Sequence, residues 1–504
     1  MSEDNQLPLL GDDVVITTSA SSFSDQEEEE GKVMKSPMSP SQLSRQSTAI
    51  LLGKERKNTP KFLFMRGLST DHPRSLRLKK FFGAVFTVSN AAIGSGILAF
   101  PYAYACAGFA LALGITLIAI TVNAFTLITI LRTARRFNVG TYQEVVRLMF
   151  GEKYRRMLIW MSVMFCFLVN VSYMLVISSM ISSFFKSFSV DLLSNILFLM
   201  GTAWLILQPL CFVRSVSVLG KTSVIGVCAV LFTTGVLVYH GSPSTTEGAP
   251  HSALDAVNFK PKAFQAIPLI MFSLMCHLTV TPATGNLVEY WPSLNSEGRV
   301  RMRTLVVVVC FVMTLCFTLY SLVGFFGYIL FGPNVESDIL DSFGTKIYFN
   351  SDNTGEYEIV EPSTDVKIAR LCMATTTGFG YPVMVYVART AIFDIIGEKQ
   401  YMSRDFVKVT LTYTVSALGA AMLCHILGLD LGFVMSIVGC TAGAMIQLII
   451  PSFLLIKSGD VVKGRCLLLI GSFVVVVGLF VTLSSAACSS NSISDSNFCN
   501  SMGM

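Results

Sequence analysis

The chain has 504 residues, 52% of them hydrophobic and only 14% charged, with a formal charge of +5 and a mean hydropathy of +0.62. A soluble domain needs about a quarter of its residues charged to cover its surface. The composition therefore excludes an ordinary soluble protein, and the apolar residues fall in blocks of about 20, the length of a helix that crosses a bilayer. The expected fold class is an all-α polytopic membrane protein.

Residues 1–78 read as a disordered cytoplasmic tail. They are Ser-rich, carry the acidic run Asp25 to Glu30, and lack hydrophobic periodicity. Ser36-Pro37 and Ser39-Pro40 are candidate phosphorylation sites, and Leu9-Leu10 downstream of Asp4 has the form of an acidic dileucine sorting signal. From Lys54 to Lys80 the tail turns basic, as befits a segment beside an anionic leaflet. The first apolar block is expected to act as its own insertion signal.

Eleven apolar blocks follow, near 81–105, 108–131, 157–184, 191–213, 217–239, 263–289, 304–331, 366–395, 406–428, 431–455 and 467–487. Lys and Arg crowd alternate loops: Arg132 to Arg156, Arg214, Arg299 to Arg303, Lys399 with Arg404, and Lys457 to Arg465. The longest loop on the other side, 332–365, is acidic. The positive-inside rule then puts the N-terminus in the cytoplasm and a short tail, 489–504, outside. Thr141 to Phe150 is expected to form a short amphipathic helix on the inner face, with Val145, Leu148 and Met149 on one side. Most cysteines lie inside apolar blocks, where they act as small hydrophobes. Cys488 and Cys499 alone fall at a polar tail that permits a disulfide.

Two blocks carry defects. The first holds Gly94-Ser95-Gly96 within "AAIGSGILAFP", and the sixth, "MFSLMCHLTVTPATGNLVEY", holds His277, Pro282 and Gly285. Glycine and proline weaken or break a helix. Non-helical backbone at membrane depth survives only where protein buries it or where it lines a cavity. A lone Gly-Ser-Gly is equally a notch for close helix packing. Two defects five spans apart point instead to a repeat transporter with a midplane site.

Here the chain resembles a known family. "SNAAIGSGILAFPYAYACAG" (89–108) looks like the first-helix motif of the amino acid/auxin permease group. "FSLMCHLTVTP" (272–282) resembles the sixth-helix motif of its sodium-coupled neutral amino acid transporter branch, the system A and system N carriers. "GYILFG" (327–332), "YPVMVYVAR" (381–389) and "SIVGCTAGAMIQLIIPSFLLIK" (436–457) follow in matching order, so the resemblance spans roughly residues 80–485. It implies a LeuT-like 5+5 inverted repeat plus one C-terminal helix within a transporter domain at 79–488, moving amino acids, neutral ones above all, by alternating access.

The expected substrate site combines Gly94, Ser95 and Gly96, whose amides would meet a carboxylate, with Phe272, Ser273, Cys276 and His277 at the opposing break. His277 either carries a coupling proton or is a neutral imidazole bonded to a carbonyl that the break frees. Asn170 and Tyr173 in the third span either face the pore or pack. By resemblance, Asn90 and Ala91 would join Thr376 and Thr377 around a cation. Two departures from the branch leave sodium and proton coupling both open: Gly380 stands where the branch has a threonine, and Asn286 stands where it usually has Glu. Arg370 and Glu289 read as interfacial or gating charges.

No cofactor beyond the coupling ion is implied, and the only metal ion expected is sodium. The expected partners are an amino acid, the bilayer and cytoplasmic regulators of the tail, with no nucleic acid. An amino acid sensor signalling through the tail is the alternative. The sequence carries no HExxH, no paired intramembrane aspartates and no Walker A loop, which speaks against an enzyme or an ATP-driven pump. The family favours the plasma membrane, and the dileucine-like stretch favours a lysosomal or vacuolar one.

Overall fold

The computed structural model describes residues 73–186, 195–213, 222–242, 254–288, 302–344, 346–348, 357–359, 362–397 and 403–489. The expectations for residues 1–72, for the side chains of Asn286 and Glu289, and for Cys499 lie outside the described residues. Cys488 is disulfide-bonded.

The first apolar block is two helices. α1 runs Pro73–Ala92, a 3-10 segment covers Ser95–Ala99, and α2 covers Phe100–Ala107. The two arms are bent by 47°. Gly108, at φ 81°, turns the chain into α3, Phe109–Phe137. Its Cα lies so close to the 255–257 segment that a Cβ would stand 2.8 Å from the Asp255 carbonyl, so only glycine fits that turn. α4 (Tyr142–Phe150) follows, then α5 (Glu152–Lys186), α6 (Ile196–Cys211) and α7 (Thr222–His240).

The sixth block is also broken. A 3-10 turn at Pro261–Gln265 leads into α8, Ala266–Ser273, and α9 restarts at His277–Val288. α10 (Met302–Phe331) precedes a loop with a short α11 (Ile339–Ser342) and an antiparallel pair, β1 (Lys346–Tyr348) and β2 (Tyr357–Ile359), registered Lys346 to Ile359. This hairpin is the one departure from an all-helical chain among the described residues. α12 (Thr364–Ile396), α13 (Ser403–Ile426), α14 (Leu431–Val438), two π-helical turns over 439–449, α15 (Ile450–Lys457) and α16 (Val461–Ser489) complete the fold.

Eight of the described helical segments are long and apolar enough to cross a membrane, or nine if the bent pair of the first block is one span. Ile196–Cys211 and Ile225–His240 are shorter apolar helices. Three segments form the centre. The apolar windows of Glu152–Lys186, Pro261–Thr284 and Leu431–Lys457 are 72%, 78% and 72% buried, against 28–44% for the other five. α12 runs along α5, and α10 runs along α2 and α3.

α4 is the short amphipathic helix expected over Thr141 to Phe150. Its buried face is Tyr142, Val145, Val146 and Met149, with Leu148 only half-buried. The Tyr142 hydroxyl donates to the Ile446 carbonyl at 3.2 Å, so the apolar face of the helix packs on protein. The expectation for Arg370 changes. It is 2% exposed, and its guanidinium donates to the carbonyls of Leu340, Phe343 and Ser183. It is a buried clamp that ties the 332–344 loop to α5 rather than an interfacial charge.

The tightest helix crossing is at Gly439, where a Cβ would stand 1.9 Å from the Pro268 carbonyl oxygen of α8. Gly439→Ala is expected to destabilise the protein by about 3 kcal/mol, the upper end for overpacking. Thermal unfolding of the purified protein in detergent checks this: an unchanged melting temperature contradicts the crossing.

Candidate functional site

The break in the first block falls at Ile93-Gly94. Gly94 is extended, with φ −109° and ψ −157°, and caps the 3-10 segment without a side-chain hydrogen bond. The first bond closed beyond it is Ile97 N–H to the Gly94 carbonyl at 3.4 Å. The amides of Ser95 and Gly96 precede that bond, so they are the open donors of a helix N-terminus. A Cβ on Gly94 would stand 3.7 Å from the Tyr173 hydroxyl, in ordinary contact. Gly96 differs: a Cβ there would stand 2.5 Å from Ser273 Oγ and 2.9 Å from Ser273 Cα. Gly96 is therefore a packing notch for α8, while a side chain on Gly94 would fit in ordinary contact with Tyr173.

The break in the sixth block lies at Leu274-Met275-Cys276, between α8 and α9. The local sequence pointed further along, to Pro282 and Gly285. Pro282 instead sits as the sixth residue of α9, where it forfeits only the bond to the Leu278 carbonyl. No glycine or proline causes the observed break. Three carbonyls of α8 and the break are instead captured by side chains from other helices. Gln447 Nε2 donates to Met271 O at 2.8 Å, Tyr320 Oη donates to Ser273 O at 2.9 Å, and Asn123 Nδ2 donates to Leu274 O at 3.1 Å.

Tyr320, on α10, also lies 2.5 Å from the carbonyl of Ala92, the last residue of α1. One hydroxyl thus serves a carbonyl at each break. Its ring stacks on Phe100 with centroids 4.4 Å apart. Ser273 Oγ reaches the Gly96 carbonyl at 3.1 Å, with the Leu269 carbonyl as its alternative acceptor at 3.0 Å. The two interrupted helices are therefore in direct contact.

The structure divides the expected site residues. Gly96 meets Ser273 and Gly94 faces the Tyr173 hydroxyl, while the Ser95 hydroxyl is buried without a hydrogen-bond partner among the described residues. Phe272 packs beside Phe165 of α5, with centroids 6.4 Å apart, and Cys276 is buried. His277 turns to α3: Nε2 lies 2.8 Å from Thr126 Oγ1, whose own proton goes to the Asn123 carbonyl at 2.9 Å. That pattern assigns the ring a proton on Nε2 and leaves Nδ1, which has no hydrogen-bond partner, as the bare nitrogen. His277 is fully enclosed, with a hydroxyl rather than a freed carbonyl as its partner.

Tyr173 and Asn170 also part company. A Cβ on Gly380 of α12 would stand 3.0 Å from the Tyr173 ring, so Tyr173 lies between the Gly94 break and α12. Asn170 donates to the Tyr413 hydroxyl at 3.1 Å and serves packing. Of the cation set, Asn90 and Thr376 converge on Gly226 of α7, where a Cβ would stand 3.0 Å from Asn90 Oδ1 and 3.1 Å from Thr376 Cγ2. The Thr376 hydroxyl donates to its own helix at Cys372 O, and Thr377 Oγ1 is buried without a hydrogen-bond partner. Ala91, half-buried, sits one residue before the shared Ala92 carbonyl.

Sequence reasoning did not single out Tyr320, Asn123 or Gln447. Each is a polar side chain inside a long apolar run, which is the signal that would have found them.

Comparison with known proteins now bears on this geometry. The family model described as "Transmembrane amino acid transporter protein" matches residues 79–489. The chain belongs to this family. It is a multi-pass membrane transporter and not an enzyme. A Bos taurus relative named "Putative sodium-coupled neutral amino acid transporter 11" is 26% identical over 435 residues, covering 83% of this chain and 86% of that one. The Xenopus laevis sodium-coupled neutral amino acid transporter 7 is 24% identical, covering 79% and 87%. The resemblance read from the motifs at 89–108 and 272–282 is borne out. Among solved structures, the Eremococcus coleocola manganese transporter superposes with a TM-score of 0.53 at 12% identity, over 86% of this chain and 92% of that one. That likeness concerns the fold alone.

In this transporter Tyr320→Phe keeps the ring stack and removes the shared donor. Leaving a buried carbonyl unsatisfied costs about 1–3 kcal/mol. The variant is expected to fold with a lower melting temperature and to lose amino acid affinity. Wild-type values in both a thermal melt and a ligand-binding titration contradict the role given to the hydroxyl.

Proposed function

We propose that this transporter is a secondary active carrier of neutral amino acids that works by alternating access around the two helix breaks. The observation that carries the reading is the contact between them: Ser273 packs on Gly96, and one tyrosine hydroxyl serves a carbonyl on each side. Open amides at Ser95 and Gly96 suit the substrate carboxylate, since a helix N-terminus carries partial positive charge. The carbonyl ends at Ala92 and Ser273 suit a cationic group. Asn90 and Thr376, which converge on Gly226, and the unpartnered hydroxyl of Thr377 support a coupling-cation site beside Ala91. Relatives named as sodium-coupled neutral amino acid transporters favour neutral substrates and sodium. Proton coupling stays in the proposal because Gly380 offers no hydroxyl where the branch has one.

Counting the two shorter apolar helices and the bent first pair as spans gives eleven, read as a 5+5 inverted repeat plus α16. The breaks then open each repeat, the arrangement expected of a midplane site. The distribution of Lys and Arg puts the N-terminus in the cytoplasm. The family favours the plasma membrane over a lysosomal or vacuolar one.

The test is uptake of radiolabelled L-alanine and L-glutamine into proteoliposomes under separate sodium and proton gradients. Uptake is expected to rise with one gradient and to be lost in Gly94→Val, whose side chain fills the space before the amides while the fold persists. Folded protein that shows no gradient-stimulated uptake of any amino acid overturns the proposal. Full uptake by Gly94→Val removes the site assignment.

A further inference from the structure

A cavity of about 210 Å³ opens along α5, away from the two breaks. One wall is apolar: Leu175, Val176, Ile196, Leu429 and Leu431. The other carries four carboxylates, Glu336, Asp338, Asp341 and Asp430. On α5, Val176 and Ser179 lie about one and two turns beyond Tyr173, the residue that touches Gly94. Two wall elements, α11 and α14, also touch the 3-10 segment Ser95–Ala99. By the charge pattern of the loops, the cavity is on the outer side of the breaks.

The carboxylates are not balanced by cations in contact. Asp341 accepts from the hydroxyls of Ser179 and Ser183. Asp430 Oδ1 caps α14 through the Phe433 amide. Asp338 is 4% exposed, and its Oδ1 accepts from the Leu340 amide at 3.1 Å. Its Oδ2 is buried without a hydrogen-bond partner among the described residues. Arg370 stands behind this loop, where its guanidinium donates to the carbonyls of Leu340, Phe343 and Ser183 and its charge acts on Asp338 and Asp341 without touching them. Burial first, and then the charge of Asp341, hold the Asp338 carboxyl well above the usual carboxylate range, against the opposing pull of the Leu340 amide and the Arg370 charge. The wall thus has acceptors with no cation in contact, Arg370 acting on Asp338 and Asp341 only through space.

We infer that this cavity is an outer waiting site for the ammonium group of an amino acid substrate, with the acidic wall receiving the amine and the apolar wall receiving a small apolar side chain. An organic ammonium fits better than a bare ion for two reasons. The volume accommodates a small organic molecule, and among the described residues no three acidic, His or Cys side chains are arranged to hold a metal ion. The inference rests on the amino acid transport reading above, because two of the cavity's wall elements, α11 and α14, contact the 3-10 segment that follows the Gly94 break. It also carries a linkage: the arriving ammonium and the proton on Asp338 compete. The groups that set this balance are Glu336 and Asp341 on the same loop, Arg370 on α12, His425 at the end of α13, and Asp430 at the start of α14. Lower outer pH therefore weakens capture.

The test reads the cavity directly and does not require transport. In the full-length protein Leu429→Cys places a thiol on the wall, and its labelling is compared with that of the unsubstituted chain. A cationic thiosulfonate is expected to label it roughly tenfold faster than an anionic one of the same size, as a cleft lined by one sign of charge requires. n-Propylammonium chloride should slow the labelling more than sodium chloride at equal ionic strength. The added pair Glu336→Gln and Asp430→Asn should abolish both effects; Asn caps a helix as well as Asp, so α14 keeps its cap. Equal labelling by the two reagents, or protection by sodium equal to or greater than that by propylammonium, overturns the inference. Because labelling is independent of uptake, either result stands whether or not the proteoliposomes transport.

Discussion

One phenolic proton holds the centre of this protein together. Tyr320 lies within hydrogen-bond distance of Ala92 O and Ser273 O, and it can satisfy only one of them well at a time. Both carbonyls belong to helices that stop in the middle of a membrane-spanning path, where no lipid can supply a donor. Ala92 O also accepts from the Gly94 amide at 3.2 Å, so the hydroxyl can turn to Ser273 O without stranding it, and both carbonyls lie beside the open amides of Ser95 and Gly96. Carbonyl acceptors next to open amide donors are what a zwitterion needs.

The surrounding helices fix this arrangement. Gln447 and Asn123 hold the other freed carbonyls of the sixth block, so the interruption is rigidly defined rather than frayed. Gly439 lets the π-helical stretch lie against Pro268, and Gly96 lets α8 lie against the first break. Toward the loops, Arg370 ties the 332–344 segment to α5. At the opposite end of α5, Arg155 bonds both Asp394 oxygens at 2.6 Å and Glu152 at 2.6 Å. The carboxylates of this ion pair are exposed, so it adds little stability, but it joins α5 to α12 at one end, as Arg370 joins α5 to the loop at the other.

Much of this was legible in the sequence. Hydropathy located the helical blocks because each apolar run must be long enough to cross hydrocarbon. Gly94-Ser95-Gly96 marked the first break because glycine is locally expensive in a helix. The second break was legible in its block but not in its position. It depends on donors from Asn123, Tyr320 and Gln447, which lie 151, 47 and 176 residues from the carbonyls they reach, and no local pattern encodes such capture. His277 illustrates the same limit. Its residue type suggested a polar or proton-carrying role, while its partner, Thr126, lies 151 residues away on another helix and encloses it. The acidic cavity was visible only as an acidic loop, because its other walls come from α5, α6, α13 and α14.

The most direct test of the central claim is an experimental structure of the protein with a bound neutral amino acid. The account predicts the substrate carboxylate within hydrogen-bond distance of the Ser95 and Gly96 amides, with Tyr320 turned to one of its two carbonyls. A substrate bound elsewhere, with Ser273 still seated on Gly96 and Tyr320 still bridging both breaks, would contradict it.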